Sequence, residues 1–402
     1  MRQKRPILLF GAFLLLAGMN ASAAETVLTE VETEAETVFE TEAETETEYE
    51  TEADSWMDYQ ITIDGDEYSF PMMCEDFVAL GWVSDETEDT LEPYTYDIYY
   101  FTKEDLTCPV YILNLGINTL SVENCIVAGI SIDRYYWDDS DIEVELPAGI
   151  IKGVSTADDI IAAYGTPTDT YEGTMYTQYT YEEDYNQEVE LTIYLESGVL
   201  EEIQIENFIE PEDFEPGEID TDVPQSVLAY VKPDSLSDSL LDYEIEIAGE
   251  VYTLPVPVSV MTEDGWELDK ENSDTQITAQ YYGWVTLCKD NQTFSAIVTN
   301  SEDYATIPEN CWLEELSVGG YTLDMDGALP GGVGIGITEE EFLSILEENG
   351  MEYEYSESSD YHYYTYNAPS YGSSCNVTVY TGTNSFFEKD TIIEISCENA
   401  LE

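Results

Sequence analysis

The sequence predicts an α+β protein made of two tandem, diverged repeats, each a β-rich half followed by a helix packed on an antiparallel sheet. Three observations lead to this prediction. Many residues recur in the same order about 184 positions later in the chain. Apolar residues alternate over short runs, as they do in half-buried strands, and each recurrence contains one helical segment with clear capping residues.

The repetition begins at Tyr59 and needs no gap in its first part. A constant offset of 184 residues places Tyr59 on Tyr243, Ile61 on Ile245, Ile63 on Ile247, Gly65 on Gly249, Tyr68 on Tyr252, Pro71 on Pro255 and Trp82 on Trp266. With small shifts the match continues through Cys125 and Cys311. So many ordered matches indicate a duplicated unit.

The first half of each unit has strand patterns. Residues 59–63 and 68–70 alternate around Asp64-Gly65, a pair typical of a tight hairpin turn. Residues 110–115 and 126–132 are predicted to be further strands. After the helix come Tyr/Thr-rich strands at 176–181, 189–194 and 203–205, and their counterparts at 361–366, 377–380 and 392–395.

The helix of the first unit is predicted to begin after Ser155 as N-cap, with acidic residues in its first turn, and to end at Gly165. Its counterpart starts at Thr338 and runs to Leu346. The run from Gly153 through Pro167 resembles the opening of the small lipoproteins of the outer-membrane barrel-assembly machinery and of the β-lactamase inhibitor proteins. That resemblance implies a helix-on-sheet fold and covers about 60 residues per copy. The second copy departs from it, because Met351 and Glu352 replace the proline.

The N-terminal region predicts export. Residues 1–24 have the basic start, apolar middle and Ala-x-Ala end of a signal peptide, and residues 25–55 form a low-complexity, acidic Thr/Glu-rich segment expected to be disordered. We expect repeat domains at 56–208 and 243–402, with a linker at 209–242. The chain as a whole resembles uncharacterised exported proteins of Gram-positive bacteria, so we expect a secreted, extracellular or cell-surface-associated protein.

The charge of the chain limits its partners. It carries 88 acidic and 10 basic side chains, for a formal net charge of -78. A surface without basic clusters repels phosphate, which excludes nucleic acid, and no apolar run is long enough to predict a membrane span. Basic proteins and, weakly, divalent cations are the expected partners, although high acidity also serves solubility alone.

Catalytic motifs are absent from the sequence, and no cofactor is expected. The single histidine, His362, lies in a predicted strand beside no recognisable nucleophile and is interpreted as structural. The acidic turns at 138–141 and 324–327 could gather oxygens for Ca²⁺, but they lack the spacing of a calcium loop, and we interpret them as solvated turns.

Seven cysteines in an exported chain leave at least one unpaired. Cys375 and Cys397 stand at the start and end of strands that would form a hairpin, so they are the candidate disulfide. Cys125 and Cys311 occupy the same place in the two copies and are predicted to be buried thiols.

The excess of tyrosine, 32 in all, suggests either half-exposed strands or a binding face. The candidate binding face consists of Tyr179, Tyr181, Tyr194, Tyr364, Tyr366 and Tyr380. We therefore expect an exported, non-enzymatic module that recognises a protein or envelope ligand through Tyr-rich acidic sheet faces. The alternatives are an extracellular hydrolase acting through carboxylates, or an inhibitor of an extracellular enzyme.

Overall fold

The structure is a computed structural model that describes residues 5–6, 55–104, 106–137, 142–211, 214–320, 323, 325–383 and 387–401. Apart from the two-residue strand β1 (Arg5–Pro6), the predicted signal peptide lies outside these residues. So does the acidic segment up to residue 54. The predicted acidic turn at 138–141 also lies outside them.

Short helices and long antiparallel strands make up the described chain, which confirms a mixed, strand-rich fold. The strands of the first half are β2 (Gln60–Ile63), β3 (Asp66–Ser69), β4 (Met72–Met73), β5 (Thr90–Leu91), β6 (Thr95–Lys103), β7 (Leu106–Asn114), β8 (Leu120–Ser121), β9 (Ile126–Ile132), β10 (Val144–Leu146), β11 (Ile150–Ile151), β12 (Asp169–Glu172), β13 (Tyr176–Asp184), β14 (Gln187–Tyr194) and β15 (Leu200–Asn207). The helices are α1 (Cys74–Ala79), α2 (Arg134–Trp137) and α3 (Ala157–Tyr164).

The second half begins after the short helix α4 (Gln225–Leu228). Its strands are β16 (Glu244–Ile247), β17 (Glu250–Thr253), β18 (Val256–Pro257), β19 (Glu267–Leu268), β20 (Tyr282–Lys289), β21 (Gln292–Thr299), β22 (Trp312–Leu313), β23 (Glu315–Gly319), β24 (Gly327–Leu329), β25 (Val333–Gly334), β26 (Tyr353–Glu357), β27 (Tyr361–Ser370), β28 (Ser373–Tyr380) and β29 (Thr391–Asn399). Its helices are α5 (Val258–Glu263) and α6 (Glu339–Glu348).

The first half contains one large sheet in the order β1-β6-β7-β9-β15-β14-β13-β12, with β4 also paired to β9. A smaller sheet has the order β11-β10-β2-β3, and β5 pairs with β8. The turn between β2 and β3 is Asp64-Gly65, as predicted, and both residues have positive φ angles of 53° and 84°.

The second half divides into three sheets, with orders β17-β16-β24-β25, β18-β22-β21-β20-β19 and β23-β29-β28-β27-β26. Several strand pairings recur at corresponding positions of the two matching stretches of sequence. Ile112 lies opposite Val127, and Val298 lies opposite Leu313, 186 residues later in both strands. Strand β9 is continuous, whereas the corresponding stretch is interrupted at Glu314 into β22 and β23.

The helix caps correct one prediction. The N-cap of α3 is Thr156, whose hydroxyl accepts the backbone N–H of Asp159, and not the neighbouring Ser155. The Ser155 hydroxyl instead accepts the N–H of Ile151 and is buried. Thr338 caps α6 in the same way as Thr156 caps α3, as predicted for that helix.

Each half has its own cluster of buried apolar side chains, one within residues 59–205 and the other within residues 240–397. Tryptophans lie in both, Trp82 beside Phe77 and Trp266 beside Phe294. Burial of this apolar surface is the main force that stabilises each half.

The predicted linker contacts both halves. The Ile117 N–H donates to the Pro216 carbonyl at 2.8 Å, and the Asn118 amide donates to Glu218 at 3.1 Å. Across the junction, the Asn118 carbonyl oxygen Oδ1 accepts the N–H of Ala305 at 2.6 Å. Asp220 then pairs with Thr306 as an isolated parallel bridge. The loop around Asn118 is thus bonded to the linker and to the second half at once.

Candidate functional site

The predicted tyrosine face is mostly inside the protein. Tyr181, Tyr364, Tyr366 and Tyr380 are buried, so these four do not form an exposed surface, while Tyr179 and Tyr194 are half-buried. Every second side chain of a strand points to the core, and the four buried tyrosines occupy such positions. Tyr364 and Tyr366 contact the ring of Phe342 in α6, with centroids 5.3 and 6.2 Å away.

The two half-buried tyrosines lie at the sheet surface of the first half. Tyr194 donates a hydrogen bond to Glu202 at 3.0 Å, and the guanidinium of Arg134 lies 4.6 Å from its ring centroid. Burial, followed by the hydrogen bond to Glu202, raises the pKa of Tyr194 to about 12. The ring of Tyr194 also lies 5.7 Å from that of Tyr176, which lies 5.6 Å from the ring of the exposed Tyr171, so Tyr194 belongs to a row of aromatic rings on this sheet surface.

The candidate disulfide residues are brought together. Cys375 and Cys397 lie directly opposite each other on β28 and β29, both buried, with their Sγ atoms 3.8 Å apart and not covalently joined. The hydrogen bond from the Cys397 thiol lowers the pKa of Cys375, and the same interaction raises that of Cys397. The bond itself stays a prediction. Cys125 and Cys311 are buried, as predicted, and burial raises the pKa of each to about 12.

The single histidine has partners that the sequence did not reveal. His362 Nδ1 lies 2.6 Å from Oε1 of Glu339, the first residue of α6, and the Tyr364 hydroxyl donates to the same oxygen at 2.5 Å. On the other side, His362 Nε2 lies 4.0 Å from Glu357, whose carboxylate accepts the Tyr355 hydroxyl. The cluster ties α6 to the β26–β27 hairpin, which favours the structural interpretation of His362.

A second cluster of carboxylates lies on the large sheet of the first half. Glu188 faces Glu206 across β14 and β15, and Glu190 is its neighbour on β14. Burial, followed by the charges of Glu206 and Glu190, raises the pKa of Glu188 to about 7. The pKa of Glu206 is also raised, first by burial, while its hydrogen bond with Tyr111 opposes the shift. Neighbouring carboxylates of like charge favour protonation of one of them.

An open apolar surface lies on the second half, where β20 and β21 turn one face outward. Tyr282 is 66% exposed, Trp284 54% and Ile297 49%, and Trp284 lies directly opposite Ile297 in the register. Trp284 and Ile297 border a groove of 470 Å³ that continues to Leu316 on β23. We call this the Trp284 groove. Exposed apolar side chains that adjoin one another mark contact surfaces more often than isolated ones do.

Carboxylates form the other wall of the Trp284 groove. Glu314, at the interruption between β22 and β23, lines it together with Glu315 and Glu398. Partial burial, followed by the charge of Glu398, raises the pKa of Glu315. Among the residues that the structure describes, no salt bridge involves these three carboxylates. The groove therefore combines an apolar wall with an uncompensated negative one.

The matching face of the first half is covered by the chain itself. Tyr96, Ile98 and Tyr111 take the places of Tyr282, Trp284 and Ile297, in the same register. The ring of Phe208 packs between two of them, with centroids 4.9 Å from Tyr96 and 5.9 Å from Tyr111. Tyr111 is consequently only 8% exposed and Phe208 only 6%.

The residue in the place of Phe208 is Ala400. The Phe208 N–H donates to the Asn186 carbonyl at 2.9 Å, and the Ala400 N–H donates to the Gly372 carbonyl at 2.7 Å, each just after the last strand of its sheet. The preceding residues also correspond, since the Asn207 and Asn399 amides bond to the carbonyls of Phe70 and Leu254. A methyl group thus replaces a phenyl ring, and the second face is left open.

Sequence reasoning missed this groove. The signal was present, because Tyr282, Trp284, Val285 and Leu287 make β20 apolar on both faces, which a strand with one solvated face does not need. Tyrosine content does not tell which face of a strand is buried, and four of the six tyrosines of the predicted face lie in the core.

The described part of the chain contains neither a candidate metal-binding cluster nor a candidate membrane-spanning helix. Within it, no group of three or more His, Cys, Asp or Glu side chains is arranged to hold a metal ion, and Asp326 is the only aspartate of the second acidic turn that falls there. No helix in the same part is long and apolar enough to cross a membrane.

No protein-family model matches the sequence, and no curated protein is significantly similar to it.

Proposed function

We propose that this protein is an exported, non-enzymatic binding module made of two copies of one α+β unit, and that its binding surface is the Trp284 groove. The observation that carries the proposal is the contrast between two equivalent sheet faces. One is closed by Phe208, and the other leaves Trp284 and Ile297 open to solvent beside three carboxylates.

The duplication is supported by strand pairing as well as by sequence. The order β3-β2-β10-β11 recurs as β17-β16-β24-β25, and the hairpin pairing Lys103 with Leu106 recurs as Lys289 with Gln292. In each unit a helix with a threonine cap contacts the inner tyrosines: Tyr164 of α3 lies against Tyr181, and Phe342 of α6 lies against Tyr364. Duplication with divergence would let one copy keep its face closed while the other acquires a partner.

The export component rests on the signal-peptide pattern of residues 1–24 and on the acidic composition. A secreted or cell-surface protein of this charge attracts basic partners at long range, and salt weakens that attraction. Specific recognition must therefore come from the apolar wall of the groove, where desolvated contacts persist at physiological salt.

The test is capture of partners from culture and envelope fractions of the producing cells. Residues 25–402 would serve as bait at low and at physiological salt, as wild type and as Trp284→Ser. Tyr371→Ser is the matched control, because Tyr371 is a fully exposed aromatic residue outside the groove. We expect one protein to be retained at physiological salt by wild type and Tyr371→Ser and lost with Trp284→Ser. Equal recovery with all three baits would refute the proposal.

The alternative of a carboxylate-dependent hydrolase has one specific observation in its favour. Glu188, with its pKa near 7 beside Glu190 and Glu206, has the protonation behaviour of a general acid. A screen of polysaccharide and peptidoglycan substrates would decide, and turnover that is lost in Glu188→Gln would favour the hydrolase.

A further inference from the structure

We propose that the Trp284 groove binds a basic segment of a partner protein by accepting one aromatic side chain between Tyr282, Trp284 and Ile297, where Phe208 sits in the first half. This inference rests on the proposed function and deepens it, because it names the chemistry of the ligand.

The covered face of the first half indicates that the ligand side chain is aromatic. In the first half, the phenyl ring of Phe208 meets the rings of Tyr96 and Tyr111 at angles of 64° and 75°, and Tyr111 is buried. In the second half the walls remain apolar, and Trp284, with the larger ring, replaces Ile98. The inserted ring is missing, because the chain supplies Ala400 at that point, and Thr299 takes the place of the buried Leu113. An aromatic side chain from outside restores the same contacts.

The residues that differ between the two faces indicate that the ligand is positively charged. Glu314 and Glu315 stand in the places of Ala128 and Gly129, which carry no charge. Glu398 corresponds to Glu206, but the hydrogen bond that Tyr111 gives to Glu206 has no counterpart, because Ile297 stands in the place of that tyrosine. Glu314 and Glu315 are thus added charges, Glu398 lacks the partner of its counterpart, and lysine or arginine near the inserted ring would compensate all three.

The other occupants fit less well. A second copy of the chain carries the same net charge of -78 and would bring further carboxylates against Glu314 and Glu398. The chain's own acidic segment offers Val38 and Phe39 as apolar residues, but glutamates flank both sides of that pair within two positions. Like charges facing each other in a contact cost free energy, so both occupants are disfavoured.

The test uses fluorescently labelled heptapeptides and residues 25–402. The first peptide has a central phenylalanine flanked by serine and lysine on each side. A second has alanine in place of phenylalanine, and a third has glutamate in place of lysine. We expect the first peptide to bind at physiological salt and the other two to bind at least about tenfold more weakly, as contacts of this kind usually cost when they are removed.

Two variants test the location. Ala400→Phe should fill the groove from within and reduce binding of the first peptide by at least about tenfold, and Trp284→Ser should do the same by removing the wall. Tyr371→Ser should bind as wild type does. Thermal unfolding of each variant checks that it is folded. If Ala400→Phe does not fold, Trp284→Ser still decides the test. Equal binding of the phenylalanine and alanine peptides, or undiminished binding by Trp284→Ser, would overturn the inference.

Further arms identify the rival occupants. A dimer of the wild type that Trp284→Ser dissociates, measured by light scattering, would make a second copy the occupant and overturn the inference. If the wild type fails to bind the first peptide at physiological salt and the double variant Val38→Ser, Phe39→Ser binds it, the acidic segment is the occupant and the inference is overturned too. If the peptides fail but the captured partner still requires Trp284, the ligand chemistry is wrong and the proposed function stands. If neither requires Trp284, both are wrong.

Discussion

Cys375 and Cys397 face each other across β28 and β29 with their Sγ atoms 3.8 Å apart, at a position where the first half has Val189 facing Ile205. The same place in the two sheets is therefore filled by an aliphatic pair in one and by a thiol pair in the other. Both pairs are buried, so packing alone does not require sulfur there.

The thiol pair leads to the first prediction. Protein collected after export should contain the Cys375–Cys397 disulfide, because oxidising compartments convert adjacent thiols that can reach bonding geometry. Mass spectrometry after unfolding and alkylation without reduction would show both residues unlabelled. The double variant Cys375→Val, Cys397→Ile copies the first-half pair and should fold but unfold more easily by about 3 kcal/mol than the oxidised protein. Alkylation of both thiols in unreduced, unfolded protein would contradict the prediction.

The second prediction concerns the two equivalent sheet faces. Phe208→Ala should lower the free energy of unfolding by about 3 kcal/mol, because it removes a buried ring from contact with Tyr96 and Tyr111. Trp284→Ser should change it by less than about 0.5 kcal/mol, because that side chain is more than half exposed. Urea unfolding monitored by circular dichroism measures both. Equal losses for the two variants would mean that the second face is closed in solution.

The third prediction is a dependence of stability on pH. Glu188 has a pKa of about 7 in the folded protein against an ordinary value of 4.5, so the folded chain binds a proton that the unfolded chain releases. Its contribution to the free energy of unfolding is present below pH 4.5 and is lost as the pH rises to about 7. The raised pKa values of Glu190 and Glu206 act in the same direction.

Glu188→Gln should therefore unfold at higher urea concentration than wild type at pH 8 and should show a flatter pH profile. Glu354→Gln is the control, because Glu354 is an exposed residue of the edge strand β26 and belongs to no such cluster. If Glu188→Gln keeps the full pH dependence of the wild type, the shared proton lies elsewhere.

The fourth prediction concerns the junction. Asn118 accepts the N–H of Ala305 and donates to the Glu218 carbonyl, so Asn118→Ala should leave those backbone groups without their partner and loosen the segment that joins the two halves. Limited proteolysis should then cleave within residues 209–242 several-fold faster than in wild type. Asn124→Ala is the control, since its amide bonds to the nearby Ser121. Unchanged cleavage would indicate that the linker is held by other contacts.

The sequence anticipated much of the local structure. The Asp64-Gly65 turn, strand β9, the helix capped by Thr338 and the buried positions of Cys125 and Cys311 all follow from local pattern and composition. These features depend on neighbours within a few positions, or on a single residue preference such as the burial of thiols. Both can be inferred from the sequence alone.

The candidate site could not be predicted from local sequence. Whether Tyr364 or Trp284 faces solvent depends on which side of its sheet another element covers, and that element can lie far away in the sequence. Phe208, for example, closes the face that includes Tyr96, more than 100 residues earlier. The sequence by itself determined the strand-rich class and the local turns and caps. Only the tertiary structure decided which aromatic side chains remain exposed, because burial is set by packing between distant segments.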